Sequence, residues 1–139
     1  MNAIAQPEPH AAPRALVIED FEQTAHLLAF MLERAGYEVV IVANGRDAET
    51  LIAAGRSADV VLLDLMLPYV DGFQLLMQMR ENRDWRDVPV LVLSGKAVEA
   101  DVVRTFELGA DDYVTKPFRP QELVARVQRL TRTSRSLVT

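Results

Sequence analysis

The sequence predicts a doubly wound α/β domain, in which five helices cover a five-stranded parallel sheet. Short apolar runs alternate five times with helical stretches, and short loops join them. The third run, residues 60–63, is continuously apolar, as is typical of a strand buried on both faces. The chain of 139 residues is long enough for one domain with its own core.

The composition excludes several kinds of site. The chain has no cysteine, so it has no disulfide, no thiolate metal site and no cysteine nucleophile. The net charge of -5 disfavours direct nucleic-acid binding, although four arginines recur between residues 126 and 135. No apolar stretch matches a membrane span or a signal peptide, so we expect a cytoplasmic location and no membrane partner.

The five strands are predicted from runs of apolar and β-branched residues. They are residues 15–18, 39–42, 60–63, 89–93 and 112–114. The first 13 residues are rich in Ala and Pro and show no periodicity, which predicts a disordered leader. The domain is therefore expected at residues 14–131, followed by a flexible tail at 132–139.

The helices are predicted from their apolar periodicity and from residues typical of helix ends. They are residues 21–35, 47–54, 73–80, 99–108 and 120–130. Gly36 is expected to end the first helix in a left-handed conformation, and Asp71 to cap the third. Pro120 suits the first position of the last helix. The inner face of the first helix is predicted to include Phe21 and Leu28.

Polar side chains stand at the carboxyl ends of four predicted strands. Glu19 and Asp20 follow the first strand, and Asp64 follows the third. Ser94 follows the fourth strand, and Lys116 lies just past the fifth. Because these ends meet at one crevice in this architecture, the side chains are expected to converge. Oxygen ligands suit Mg²⁺, and a carboxylate beside such an ion can attack phosphorus to form an acyl phosphate. The ammonium and hydroxyl groups would then stabilise the phosphoryl oxygens.

Each of these residues also has a structural interpretation. Asp20, with Gln23 three positions later, fits a capping box at the start of the first helix. Asp64 and Ser94 fit turns, and Lys116 fits a solvated surface charge. Their shared position at one edge of the sheet favours the site.

The sequence resembles the receiver (response-regulator) domain of two-component signalling over about residues 14–130. The resemblance rests on the acidic pair 19–20, the segment DLMLPYVDG at 64–72, the Ser94–Gly95 pair and the segment GADDYVTKPF at 109–118. It implies a flavodoxin-like receiver fold with strand order 2-1-3-4-5.

The resemblance also implies a phosphorylation site. Asp64 would accept a phosphoryl group from a sensor histidine kinase or a phosphotransfer protein. Mg²⁺ would be held by Asp20, Asp64 and the backbone carbonyl of Met66, with Glu19 acting through water. The domain would catalyse only its own phosphorylation and dephosphorylation, and would not otherwise be an enzyme.

A conformational switch is implied by the same resemblance. Ser94 would move to the phosphoryl group, Tyr113 would follow it inward, and Lys116 would contact the phosphoryl oxygens. The Lys116–Pro117 bond would be cis. These movements would remodel the surface of the fourth helix, fifth strand and fifth helix for a downstream protein or for self-dimerisation.

The resemblance to receivers of winged-helix transcription factors is partial. Asp112 and Arg126 match an ion pair that crosses the dimer in those proteins. Val102 and Gln128 stand where basic residues would be aligned.

Two other classes of protein compete with a phosphoacceptor: an interaction module, and an enzyme that is either a flavin-binding protein or a phosphatase. A phosphate-independent interaction module would be expected to have lost a site residue, and none is lost. A flavin-binding protein would carry a loop rich in hydroxyls and glycine after the first strand, where this chain has Glu-Asp-Phe-Glu. An aspartate-nucleophile phosphatase would need a second aspartate at position 66, which is Met66.

Overall fold

The structure is a computed structural model that describes residues 12–95 and 99–138, with the side chains of residues 134–138 left undescribed. The predicted leader, apart from residues 12 and 13, lies outside this range. In the described part of the chain, no helix combines the length and the apolar character that crossing a membrane requires.

The five strands form one parallel sheet in the order β2-β1-β3-β4-β5. Their bounds are β1 Arg14–Ile18, β2 Glu38–Val42, β3 Val60–Asp64, β4 Val90–Ser94 and β5 Asp112–Thr115. All five residues of β3 and of β4 are buried, because both strands have a strand on either side and helices on both faces. The predicted fold class and strand order are confirmed.

Five helices cover the sheet. Their bounds are α1 Glu22–Arg34, α2 Gly45–Ala53, α3 Gly72–Glu81, α4 Glu99–Glu107 and α5 Pro120–Val138. Alternate residues of β1 divide between two cores: Leu16 packs with the side chains of α2 and α3, and Val17 packs with those of α1 and α5. The sheet is therefore apolar on both faces, and its polar groups are confined to its edges.

Several predicted helix ends are confirmed. Gly36 has a φ of +99°, the left-handed conformation expected after α1. Asp71 caps α3, since its Oδ1 accepts a hydrogen bond of 3.0 Å from the Gln74 amide. Pro120 is the first residue of α5.

Trp85 fills the core beneath the loop after α3, and its indole N–H donates to the Ile52 carbonyl at 3.0 Å.

Other helix ends differ from the sequence prediction. Phe21 is an extended N-cap and is 58% exposed, so its predicted place on the inner face of α1 was wrong. Asp20 does not cap the helix. The second helix begins two residues early because the Asn44 side chain accepts the Asp47 amide. The last helix continues to Val138, through most of the predicted tail, because residues 131–138 contain no glycine or proline to end it.

Candidate functional site

The central residue of the site is Asp64, the last residue of β3. It is 4% exposed, and its register partner is Leu93 of β4, while the preceding residue Leu63 is the last to pair with β1. Its Oδ1 accepts a hydrogen bond of 3.1 Å from the Met66 amide. The carboxylate is therefore held at the carboxyl edge of the sheet by a rigid strand and by the first turn of the following loop.

Two more carboxylates come from the end of β1. Glu19, Asp20 and Asp64 each offer an oxygen, and these oxygens lie within 4.8 Å of one another. Glu19 is 1% exposed, and its Oε2 accepts the Phe21 amide at 3.1 Å, whereas Asp20 is exposed. The cluster is thus buried on the Glu19 side and open to solvent on the Asp20 side.

The cationic group of the site is Lys116, in the loop after β5. Its Nζ donates to Glu19 Oε1 at 2.8 Å and lies 3.3 Å from Asp64 Oδ2. The Lys116 amide donates to the Ser94 carbonyl at 2.8 Å, which joins this loop to the end of β4. The Lys116–Pro117 peptide bond is cis, the isomer that the resemblance implies.

The electrostatics of the site follow from burial and like charge. Burial raises the pKa of Asp64 to about 6; the Met66 amide opposes the rise, the Glu19 charge adds to it and Lys116 opposes it. Burial alone would lower the pKa of Lys116, but the Glu19 and Asp64 carboxylates raise it above its ordinary value. With three carboxylates and one ammonium, the ionised site has an excess of two negative charges.

The donor set fits a hard divalent cation. All three clustered side-chain groups are carboxylates, and their spacing allows one ion to contact oxygens from each. An ion of charge +2 would balance the excess negative charge. One of these groups is exposed, so the ion could retain water molecules, as Mg²⁺ does in proteins.

The predicted switch residues occupy the neighbouring strands. Ser94 is the last residue of β4, 1% exposed, and stands one position beyond Leu93, the register partner of Asp64. Tyr113 lies in β5 beside Val92 and packs, half-buried, against the core that includes α2 and α3. Ser94 is thus at the edge that carries the carboxylates, and Tyr113 lies two residues further back along the sheet.

The loop after Asp64 has two features that sequence reasoning missed. A Cβ on Gly72 would lie 2.6 Å from the Asp64 carbonyl oxygen, so glycine is required where this loop closes. Tyr69 has a φ of +73°, and its ring lies 4.1 Å from the Arg46 guanidinium carbon. The glycine entered the sequence prediction only as the last residue of the segment at 64–72, and the Arg46–Tyr69 contact has no sequence signature.

The protein is thus an α/β domain with a five-stranded parallel sheet. One edge of this sheet carries a buried aspartate, two further carboxylates and a lysine. The chain belongs to the response regulator receiver domain family, whose model matches residues 15–128. It is 41% identical over 120 residues to the DNA-binding dual master transcriptional regulator RpaA of Synechocystis sp., covering 86% of this chain and 49% of that protein. The chain therefore spans about half the length of this relative.

Two solved structures are similar to the whole domain. One is the receiver domain of the Francisella response regulator 1452, with 32% identity, a TM-score of 0.81 and coverage of 88% of this chain and 98% of that chain. The other is the receiver domain of the sensor histidine kinase PA1611 from Pseudomonas aeruginosa PAO1, with 30% identity and a TM-score of 0.79. The second alignment covers 87% of this chain and 98% of that chain, and that structure has a magnesium ion coordinated in its active-site cleft.

Proposed function

We propose that Asp64 accepts a phosphoryl group from a sensor histidine kinase or a phosphotransfer protein, and that this reaction requires Mg²⁺. The observation that carries the proposal is the buried Asp64 carboxylate at the end of a central strand, beside Glu19 and Lys116. Family membership supports it, because receiver domains are signalling modules. The cytoplasmic location expected from the sequence is part of this proposal.

The proposed reaction uses the Asp64 carboxylate as a nucleophile. An Asp64 oxygen bonds to phosphorus while the bond from phosphorus to the donor's histidine nitrogen breaks, and the imidazole leaves with that electron pair. A pKa of about 6 leaves the carboxylate mostly ionised at neutral pH. The Lys116 ammonium offers positive charge to the phosphoryl oxygens, and the Ser94 hydroxyl offers a hydrogen bond. The domain thus promotes only its own phosphorylation and dephosphorylation.

The metal ligands in this proposal are Asp20, Asp64 and the backbone carbonyl of Met66, with Glu19 acting through water. When bound, Mg²⁺ supplies charge that stabilises the phosphoryl oxygens. The chain's carboxylates would hold the ion, and the hydrogen bond from the Met66 amide keeps the Asp64 carboxylate in place.

The proposed output is a change in the surface formed by α4, β5 and α5. Ser94 moves to the phosphoryl group, and Tyr113 moves further inward. The packing of α4 supports this proposal, because Thr105 is the one buried residue of this helix, while Val103 and Phe106 are 47% and 46% exposed. A helix with so few buried contacts is readily displaced by a new charge at the neighbouring strand end.

The α4–β5–α5 surface binds a recipient, which is a downstream protein or a second copy of the chain. Arg126 already pairs within the chain, at 3.0 Å from both Asp112 and Glu122. A dimer that uses the Asp112–Arg126 pair would have to exchange these contacts. RpaA is described as DNA-binding, but it is about twice as long as the matched region; for this domain we propose a protein recipient.

The test is native mass spectrometry with Mg²⁺ and a small acyl phosphate as donor. The unsubstituted protein should gain one phosphoryl group, and Asp64→Asn should gain none. Asp84→Asn removes an exposed carboxylate outside the site and should label normally. Labelling of Asp64→Asn at another residue, or no labelling of the unsubstituted protein, would overturn the proposal. A doubled mass after labelling would identify the recipient as a second copy.

A further inference from the structure

The loop that follows Asp64 is held at its tip by the start of α2. The Gly45 amide donates to the Pro68 carbonyl at 3.1 Å. A Cβ at Gly45 would collide with the Val70 carbonyl, so the helix backbone and the loop backbone are in direct contact. The first turn of α2 therefore packs directly against this loop.

The backbone of the loop is strained at its tip. The Val70 amide donates to the Pro68 carbonyl at 3.0 Å, two residues back, and the intervening Tyr69 has a φ of +73°. This is a γ-turn with a positive central φ, a rare and strained conformation for a residue other than glycine. Such a conformation persists only where its surroundings hold it in place.

The side-chain contact that holds Tyr69 comes from α2. The Arg46 guanidinium carbon lies 4.1 Å from the centre of the Tyr69 ring, within the range of a cation–π interaction. Tyr69 is 70% exposed, so burial in the core contributes little to its position. Arg46 is also exposed, and it follows directly after Gly45, which contacts the loop backbone.

We propose that Arg46 and Tyr69 are positioning residues for metal binding, a role that rests on the proposed function. Their stack holds the strained turn, and the turn fixes the loop that carries Met66, whose carbonyl is a proposed metal ligand. Neither side chain touches the metal in this proposal. The stack lowers the cost of ordering the loop when Mg²⁺ binds, because the loop is already in place.

Charge alone predicts the opposite effect for Arg46. If the Arg46 charge alone mattered, its removal would strengthen Mg²⁺ binding or leave it unchanged, because one source of repulsion is lost. Removing a positioning contact should weaken it. The direction of the change in affinity therefore separates the two roles.

The experiment measures the Mg²⁺ dissociation constant by calorimetry for Arg46→Ala, Tyr69→Ala and the double variant. Each single substitution should raise the dissociation constant about two- to fivefold, which is the change expected from the loss of an exposed cation–π contact. The double variant should be no weaker than the weaker single variant, because both remove one shared contact. Tyr69→Phe keeps the ring and should bind like the unsubstituted protein.

A matched control is Arg34→Ala on α1. It also removes one positive charge and one arginine stacked on an aromatic ring, since the Arg34 guanidinium carbon lies 5.6 Å from the centre of the Phe30 ring. It should leave the dissociation constant unchanged. A second readout needs no metal: amide hydrogen exchange at Gly45 and Val70, whose amides both bond to the Pro68 carbonyl, should accelerate in Arg46→Ala and Tyr69→Ala.

Unchanged or tighter Mg²⁺ binding in Arg46→Ala, with unchanged exchange at these two amides, would overturn the positioning role while leaving the proposed function intact. An absence of Mg²⁺ binding in the unsubstituted protein would overturn the proposed function, and the positioning role with it.

Discussion

The Lys116 ammonium donates to Glu19 Oε1 at 2.8 Å, although the two residues lie 97 positions apart in the chain. Glu19 is almost fully buried, and the ammonium also lies 3.3 Å from Asp64. One cation is thus shared between two buried carboxylates that would otherwise repel each other. This arrangement makes Lys116 a stabilising residue as well as a proposed ligand of the phosphoryl group.

Replacing Lys116 by methionine should therefore destabilise the metal-free protein. The change keeps an unbranched side chain but leaves two buried carboxylates without their cation, at an expected cost of about 2 to 4 kcal/mol at pH 8. Urea unfolding in the presence of a chelator measures this cost. Arg56→Ala removes an exposed ion pair with Asp59 and should cost less than about 1 kcal/mol. Equal costs for the two variants would contradict the shared-cation role.

The raised pKa of Asp64 predicts a pH-dependent effect of Asp64→Asn. Folding raises this pKa from 3.8 to about 6, so the folded state disfavours the ionised form. The cost of the ionised Asp64 to the folded state is absent below about pH 4. It grows as the pH rises from about 4 to about 6, and it is complete above that. In metal-free protein, Asp64→Asn should therefore raise the free energy of unfolding at pH 8 by about 2 to 3 kcal/mol more than it does at pH 4.

Urea unfolding of both proteins at the two pH values measures this difference. Asp84→Asn, which changes an exposed carboxylate outside the site, is the matched control. A gain from Asp64→Asn that is the same at pH 4 and pH 8 would show that the carboxylate is not the cause.

Magnesium should stabilise the protein by binding the folded state. At a concentration 100 times the dissociation constant, the expected gain is about 2.7 kcal/mol, and a chelator should reverse it. Substituting Asp20 by asparagine should reduce this gain without lowering the metal-free stability, since Asp20 is exposed and does not cap α1. Thermal unfolding with and without Mg²⁺ tests the expectation. A full gain in the variant would remove Asp20 from the ligand set.

Arg80 should be a major stabilising residue far from the site. Its Nε donates to the Gly109 carbonyl at 2.9 Å and its Nη1 to the Val88 carbonyl at 2.8 Å. Its Nη2 bonds to Asp111 at 2.9 Å, and its side chain is only 19% exposed. Arg80→Met leaves these acceptors without their donors, which should cost about 3 kcal/mol. Chemical denaturation measures the loss, and a cost below about 1 kcal/mol would contradict this role.

The sequence predicted the strands and the residues at their carboxyl ends because both follow from local pattern. A buried strand needs a continuous apolar run, and Asp64 interrupts that run with a charge. The position of Phe21 was not predictable in this way, since an apolar periodicity does not mark where the first helical turn begins. The Arg46–Tyr69 contact depends on how α2 docks against a loop, and the acceptors of Arg80 include backbone carbonyls, which have no sequence signature.

The distance along the chain between Glu19 and Lys116 has a consequence for biosynthesis. Every strand pairing in the sheet is parallel and spans a crossover, so each pairing joins segments that are distant in sequence. A nascent chain that has emerged only as far as β4 holds all three carboxylates but lacks the lysine that pairs with two of them. The site therefore acquires its ammonium group only when the segment after β5 leaves the ribosome and docks.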